Sequence, residues 1–374
     1  AIFGSGLNRP VEGIYASVIE KLNQAKAIRV AVDIPSGLMT EKSSSGPIVK
    51  ADYTVSFQLP KLAFLLPENS AYVGELILAE IGLSQEYIEK VATTHFLLTL
   101  SDIKKMIKPR SKFDHKGTYG HALLVAGSYG KMGACVLSAR AALRSGLGLL
   151  TIHIPRKGYD IVQSSVPEAM ASVDPHDEYT SSIPDITAYS SIGVGPGIGQ
   201  TDETVIALTN LFRTSARPLV IDADALNILA KHRELLQVIP ENSILTPHPK
   251  EFERLVGTWT NDIERLEMLK TFSRQIKSVI ILKGAYSAIA IPDGTVFFNP
   301  TGNPGMATGG SGDVLTGILT GLLAQGYSPE DSAKIGVYLH GFAGDLAAQE
   351  KGMHGLIASD IIEWLPPAFK SIAD

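Results

Sequence analysis

The chain has 374 residues, 45% of them hydrophobic and 19% charged, with 35 glycines and 21 prolines. At roughly 100 to 200 residues per domain that length predicts two domains, and the composition is that of a turn-rich globular protein rather than a disordered one. A net charge of -5 argues against a general nucleic-acid binder, a single cysteine excludes an internal disulfide framework, and the strand-sized apolar runs fall far short of the roughly 20 residues that span a bilayer.

No Cys/His spacing resembles a zinc site, so Cys135 reads as a small buried residue and a reducing cytoplasm as the expected setting. The chain opens Ala-Ile-Phe-Gly-Ser-Gly without an initiator Met, a basic stretch or an apolar leader, and is expected to be cut inside a domain with no signal peptide. Helical spacing over about Val11 to Gln24 puts Ile14, Val18, Ile19 and Leu22 on one side. Ile28 to Val32 then reads as a buried strand running into Asp33-Ile-Pro-Ser-Gly37. Tyr53 to Phe57 and Leu76 to Leu83 read as further strands of a parallel sheet, about half of a doubly wound domain. Around Tyr87 to Asp114 the pattern weakens, and the basic run Lys104 to Lys112 reads as solvated surface at a boundary.

Strand and helix signals then alternate regularly. Strands are expected at 121–126, 149–154, 190–194, 218–221, 243–245 and 279–282, and each ends in glycine or polar residues. Helices are expected at about 134–145, 201–212, 225–231, 250–256, 262–277, 314–324 and 331–349. Such alternation with near-continuous apolar strands predicts a three-layer α/β/α domain with a mainly parallel sheet, whose ligands sit at the carboxyl edge. On that edge would lie Gly127-Ser128, Gly195 to Gly199, Asp222 to Asn227, His248, Lys283 and Asp313.

The most informative stretch is Asn303-Pro-Gly-Met-Ala-Thr-Gly-Gly-Ser-Gly-Asp313, placed directly before an apolar helix. Glycines at 309, 310 and 312 let backbone N–H groups crowd together, and the helix N-terminus adds its positive dipole end, so a phosphate suits the site. A carboxylate there repels phosphate; Asp313 makes sense as the acceptor of a proton from a hydroxyl attacking phosphorus. The plainer alternative is a helix cap formed by Ser311 or Asp313.

Together, Thr246-Pro-His-Pro-Lys-Glu251, Leu282-Lys-Gly-Ala285 and the Asn303 to Asp313 loop resemble the ADP/ATP-dependent NAD(P)H-hydrate dehydratases, which have the ribokinase-like fold. Ile2-Phe-Gly-Ser-Gly-Leu-Asn-Arg-Pro10 and Val32-Asp-Ile-Pro-Ser-Gly37 resemble the second half of the NAD(P)H-hydrate epimerase domain that precedes it in bifunctional repair enzymes. The resemblance therefore implies a partial Rossmann-like epimerase domain over residues 1–90, lacking its N-terminal half, and a dehydratase domain over 97–374.

Carried over residue by residue, the resemblance makes Asp313 the catalytic base beside the substrate hydroxyl. It places the nucleotide against Lys283, Gly284, Ala285, Tyr286 and Ser287, and against Asn303, Met306, Ala307, Thr308, Gly309, Gly310, Ser311 and Gly312. The hydrated nicotinamide nucleotide, NADHX or NADPHX, would face Ala134, Gly197, His248, Pro249, Lys250, Glu251, Phe252, Glu253 and Arg254, besides Asp313. In the epimerase part, Gly4, Ser5, Gly6, Leu7, Asn8, Arg9 and Pro10 would bind substrate, Asp33 would be catalytic or substrate-binding, and Ser36 would help hold a potassium ion. Also implied are ADP or ATP with Mg2+, a homo-oligomer, and no membrane or nucleic-acid partner. The rival readings are a ribokinase-like kinase of a vitamin-precursor alcohol, from which the His-Pro-Lys-Glu segment and the epimerase-like part separate this chain, and an ADP-binding sensor, which would gain nothing from Asp313. With its pocket incomplete, the epimerase part is expected to be inactive.

Overall fold

A computed structural model describes residues 2–373, and by compactness the chain divides into two units, residues 1–97 with 258–268 and residues 98–257 with 269–374. In the smaller unit, strands β1 (Val30–Val32), β2 (Tyr53–Phe57) and β3 (Glu75–Ala79) pair in parallel and in that order. Ile34, Leu38, Ile48, Ala63, Phe64 and Val73 form its core. The expectation of a fully buried first strand is corrected: only Ala31 is buried in β1, whereas Val30 is 55% exposed. Successive side chains of a strand point to opposite faces, and within this unit one face carries the packing. The helix Gly13–Gln24 behaves likewise, with Ile19 buried and Ile14 75% exposed.

A short strand β4 (His95–Leu97) and the helix Leu100–Met106 follow; a reciprocal capping box between Thr99 and Asp102 starts that helix. Two members of the basic run do more than meet solvent. Lys108 donates to the carbonyl of Gly326 at 2.6 Å, and Arg110 donates to the carbonyl of Gly146 at 2.5 Å while stacking 3.9 Å over the Tyr119 ring.

The sheet of the larger unit contains β5 (His121–Val125), β6 (Leu149–Ile154), β7 (Met170–Val173), β8 (Ser191–Val194), β9 (Leu219–Ile221), β10 (Ile244–Leu245), β11 (Val279–Leu282), β12 (Ala288–Ala290) and β13 (Val296–Phe298). From β13 inward the order is β13-β12-β11-β10-β9-β8-β5-β6-β7. The β11–β12 and β12–β13 pairs are antiparallel, and the pairs from β11 to β7 are parallel. Six of these strands stand where alternation puts them; β7, β12 and β13 are additions. The parallel strands β9, β10 and β11 are apolar and buried because helices cover them: Val220, Ile244, Val279 and Ile281 pack with the helices Ser311–Ala324, Pro329–Lys351 and Ala358–Ala373.

The helix Ser311–Ala324 is buried at every position from Val314 onward. Its neighbour Met132–Arg144 approaches so closely that a Cβ on Gly317 would meet the Ser138 carbonyl oxygen at 2.0 Å, and one on Gly321 would meet Ser145 Oγ at 2.0 Å. A Gly317→Ala substitution is expected to lower stability by about 1–3 kcal/mol through overpacking. Gly309→Ala, whose Cβ would enter open space, should stay within about 0.5 kcal/mol of the parent. Urea denaturation midpoints check both; equal midpoints for the two variants would contradict the packing argument.

Candidate active site

Five parallel strands adjacent in the sheet deliver their following residues to one edge: Gly127 and Ser128 after β5, Gly195 to Gly199 after β8, Asp222 after β9, His248 beyond β10 and Lys283 after β11. The loops are tied to one another. Gly127 N–H donates to the Pro196 carbonyl at 2.8 Å and Ser128 Oγ to the Gly197 carbonyl at 2.7 Å. Gly197 (φ 64°) lies against Ala134, so that a Cβ there would be 3.2 Å from the alanine methyl. Asp224 accepts from Gly199 N–H at 3.0 Å, Gln200 at 3.1 Å and Lys131 at 3.2 Å.

The glycine loop enters the helix through Gly310, whose φ of 92° only glycine adopts freely and whose side-chain space is filled by Leu137 and Ala358. No side chain caps the helix; the Ser311 N–H donates to the Thr308 carbonyl at 3.4 Å, and the N–H groups of Gly312 and Asp313 that follow are left open. Upstream, Asp345 fixes the loop by accepting from Gly302 N–H and from the Asn303 amide, each at 2.9 Å; Asn303 in turn accepts from Gly305 N–H. Met306 packs on Gly344. From the helix Pro329–Lys351, His340 Nε2 donates to the Ser311 carbonyl at 2.9 Å, and burial pulls this imidazole down to about 4, so it is neutral.

Beside this turn stands an ion pair: Lys283 Nζ donates to Asp222 Oδ1 at 3.0 Å. A Cβ on Gly312 would be 3.4 Å from that ammonium and 3.8 Å from Asp222 Oδ2, so the pair lies against the first turn of the helix. Burial raises the Asp313 carboxyl from 3.8 to about 6; the negative charges of Asp222 and Asp224 add to the rise and Lys283 opposes it. Asp313 is thus a carboxylate near the neutral range and next to an open helix N-terminus, as a general base for phosphoryl transfer should be.

Other expected site residues divide by environment. His248 starts the helix Pro249–Val256: its Nδ1 accepts from Lys250 N–H at 3.1 Å and Glu251 N–H at 3.3 Å, and Glu251 returns a bond to His248 N–H at 2.9 Å. Burial first, then Lys283 and Arg254, push the imidazole below its usual range, in keeping with an acceptor nitrogen. Phe252 is a correction. Its side chain is fully buried and meets the Phe272 ring edge-on at 6.2 Å, because helical rotation turns it into the core. Glu251 is buried too, and burial raises its carboxyl. Pro249, Lys250, Glu253 and Arg254 are exposed, Arg254 donating to Asn227 at 2.7 Å. Gly284 and Ser287 close a turn in which Ser287 Oγ accepts from Gly284 N–H at 3.2 Å; Ala285 is exposed and Tyr286 half-buried. Ala307 and Gly309 are exposed, with Thr308 half-buried between them.

In the smaller unit Asp33 has a left-handed backbone (φ 67°) at the end of β1, which costs about 1 kcal/mol or more for a non-glycine residue. Its carboxylate pairs with Lys61, which also donates to Ser56 Oγ at 2.8 Å. Ser36 Oγ accepts from Ile2 N–H at 2.8 Å and Phe3 N–H at 3.0 Å and donates to the Phe3 carbonyl, so both its lone pairs are engaged and none is left for a potassium ion. Gly4 to Leu7 form a turn, and Asn8, Arg9 and Pro10 are exposed. Lys61, Thr316, His340 and Asp345 were not singled out from sequence, and Asp222 was placed on the ligand edge without a role; each acts through a partner distant along the chain.

A family model described as NAD(P)H-hydrate dehydratase matches residues 122–367, and one described as YjeF-related protein N-terminus matches residues 1–63. The chain belongs to the NAD(P)H-hydrate dehydratase family. A relative from Moorella thermoacetica, named bifunctional NAD(P)H-hydrate repair enzyme Nnr, is 40% identical over 388 residues, covering 100% of this chain and 73% of the relative. Among solved structures, the Bacillus subtilis ADP/ATP-dependent NAD(P)H-hydrate dehydratase co-crystallised with ATP/Mg2+ is 34% identical with a TM-score of 0.66, covering 75% of this chain and 100% of that one. A ribokinase-like superfamily protein from Enterococcus faecalis is 26% identical with a TM-score of 0.65, covering 76% of this chain and 98% of that one. The dehydratase unit is therefore a ribokinase-like α/β domain, preceded by a region of the YjeF-related type.

The raised Asp313 carboxyl has a stability consequence of definite sign. Its folded value, about 6, lies above its ordinary 3.8, so the contribution it makes is full below about pH 4 and is lost as pH rises through about 6. Asp313→Asn should therefore unfold at higher denaturant than the parent at pH 7.5, the gap closing towards pH 4. Parallel urea titrations at the two pH values check this, and an equal or lower midpoint for the variant at pH 7.5 would count against a disfavoured buried charge.

Proposed function

We propose that the larger unit dehydrates the S form of NADHX and NADPHX by transferring the terminal phosphoryl group of ADP or ATP to the C6 hydroxyl and letting the ring nitrogen expel phosphate, with Asp313 as the base. The observation that carries this reading is Asp313 itself, a carboxylate raised to about 6 in the first turn of a helix opened by glycines and left uncapped. Hydroxide is a poor leaving group and phosphate a good one; the transfer makes elimination possible and returns the reduced nicotinamide.

Asp313 accepts the proton of the attacking hydroxyl. Backbone N–H groups of Gly309 to Gly312 hold the transferred phosphoryl, and the Lys283 ammonium, beside Gly312, offsets its charge. Lys283 to Ser287, Asn303 and Met306 to Gly312 form the nucleotide side. Ala134, Gly197 and His248 with the exposed start of its helix form the hydrate side. Among the described residues no group of three or more His, Cys, Asp or Glu makes a metal cage. A magnesium ion arriving with the nucleotide would be held by its phosphates and would supply charge neutralisation there. In the smaller unit the epimerase reading rests on Asp33 paired with Lys61; potassium is given no role there, since the Ser36 lone pairs are engaged. Among the described residues no helix is long and apolar enough to cross a membrane; a small-molecule substrate and an adenine nucleotide are the partners this reading needs, and a homo-oligomer in the cytoplasm is its expected setting.

The direct assay adds ADP or ATP to hydrate and follows the return of the reduced-nicotinamide absorbance; a product that stays phosphorylated would favour the kinase reading instead. Asp313→Asn should lower turnover by about 10² to 10⁴ while the nucleotide KM stays within about threefold, since the amide keeps size but takes no proton. In the parent, kcat/KM should fall about tenfold per pH unit below about 6 as Asp313 protonates. Turnover within tenfold of the parent removes Asp313 from the mechanism. Lys283→Met should raise the nucleotide KM more than it lowers kcat, and an unchanged nucleotide dependence would make Lys283 a bystander.

A further inference from the structure

We propose that Asp222 is a positioning residue for the transfer: with one oxygen on Lys283 and the other on Thr316, it fixes the ammonium against the first turn of the helix Ser311–Ala324, where the phosphoryl group would lie. The inference rests on the reading of that helix N-terminus as the phosphate site.

Asp222 is 1% exposed, and its two oxygens face two different elements. Oδ1 accepts from Lys283 Nζ at 3.0 Å, and Oδ2 accepts from Thr316 Oγ1 at 2.7 Å. A buried carboxylate is tolerated when paired and hydrogen-bonded, and here both requirements are met by groups of the site rather than by neighbours in sequence. Thr316 stands one helical turn after Gly312, so the carboxylate is docked on the helix that offers its N–H groups to phosphate. Lys283 arrives from β11, two strands away from the β9 end that carries Asp222. Asp222 is therefore the bridge that sets strand ends and helix in one register. A free lysine side chain samples many rotamers; Asp222 removes that freedom before the nucleotide arrives.

It also acts on the base. Asp313 is faced by Asp222 beyond β9, Asp224 on the helix Ala223–Lys231, Lys283 beyond β11 and the Cys135 thiol on the helix Met132–Arg144, the last pushed up to about 12 and so neutral. His340 lies behind Ser311, held neutral by burial. Of these, Asp222 is the larger of the two acidic influences that keep the Asp313 carboxyl high. Without its charge the remaining strong neighbour is Lys283, no longer paired, and both changes favour ionised Asp313.

The test is steady-state kinetics from about pH 5 to pH 8 on the full chain with hydrate and ADP, comparing the parent, Asp222→Asn and Thr316→Val. Asp222→Asn should lose about 10- to 100-fold in kcat with a nucleotide KM within about threefold, and the acid limb of kcat/KM should move to lower pH by about half a unit or more. Thr316→Val removes a bond but no charge, so kcat should fall about 3- to 10-fold with the acid limb in place. An Asp222→Asn enzyme with the parent's acid limb, or with kcat within about twofold, overturns the proposal. If that variant does not fold, Thr316→Val decides alone: lower kcat at unchanged nucleotide KM supports the bridge, and unchanged kcat overturns it. Loss of activity in Asp313→Asn but not in Asp222→Asn sinks this inference alone, whereas an active Asp313→Asn sinks the phosphate-site reading beneath it.

Discussion

Everything at the site depends on the helix Ser311–Ala324 being unable to move. It is buried from its second turn to its end, and glycines at 317 and 321 let the backbone of Met132–Arg144 come so near that no side chain fits between them. On another side Gly193 of β8 yields its side-chain space to Thr320. Interiors packed this densely transmit strain rather than absorb it. A helix held on several sides presents its N-terminal N–H groups at a fixed place, and electrostatic stabilisation of a transferring phosphoryl needs fixed donors.

On that fixed end the charges are arranged to be useful only together. Asp222 and Lys283 form an ion pair beside the first turn, and burial with the charge of Asp222 keeps Asp313 ready to give up or take a proton near neutrality. Asp345 and His340, both on the helix Pro329–Lys351, hold the glycine loop at Gly302, Asn303 and Ser311. The loop is thus tied at its start and at its end, and its open positions lie between.

Much of this was legible in the sequence. Six of the parallel strands show because each is a short, mainly apolar run ending in polar or glycine residues, and the glycine loop shows because its glycines stand directly before an apolar helix. What stayed hidden has physical causes. Strand β7, Met170-Ala-Ser-Val173, is half-exposed and lacks a continuous apolar run, while β12 and β13 are only three residues each. Thr316 and Asp222 are 94 residues apart, and Asn303 and Asp345 are 42 apart; no local pattern encodes such pairs. Phe252 misled because it belongs to a specific motif, yet a helix turns successive side chains by about 100°, and its own points into the core. In the smaller unit Ile14 and Val30 read as core by periodicity alone, which reports an apolar face without saying what covers it.

The central claim is that phosphorus reaches the hydrate's own hydroxyl oxygen before that oxygen leaves. The most direct measurement is to label the C6 hydroxyl with heavy oxygen, run a single turnover with ADP, and analyse the products by mass spectrometry. The account predicts that the label appears in inorganic phosphate, since the carbon–oxygen bond breaks after the phosphoryl group has been attached. Label recovered in water, with unlabelled phosphate, would mean that hydroxide leaves directly and that the helix N-terminus and Asp313 do not perform the transfer.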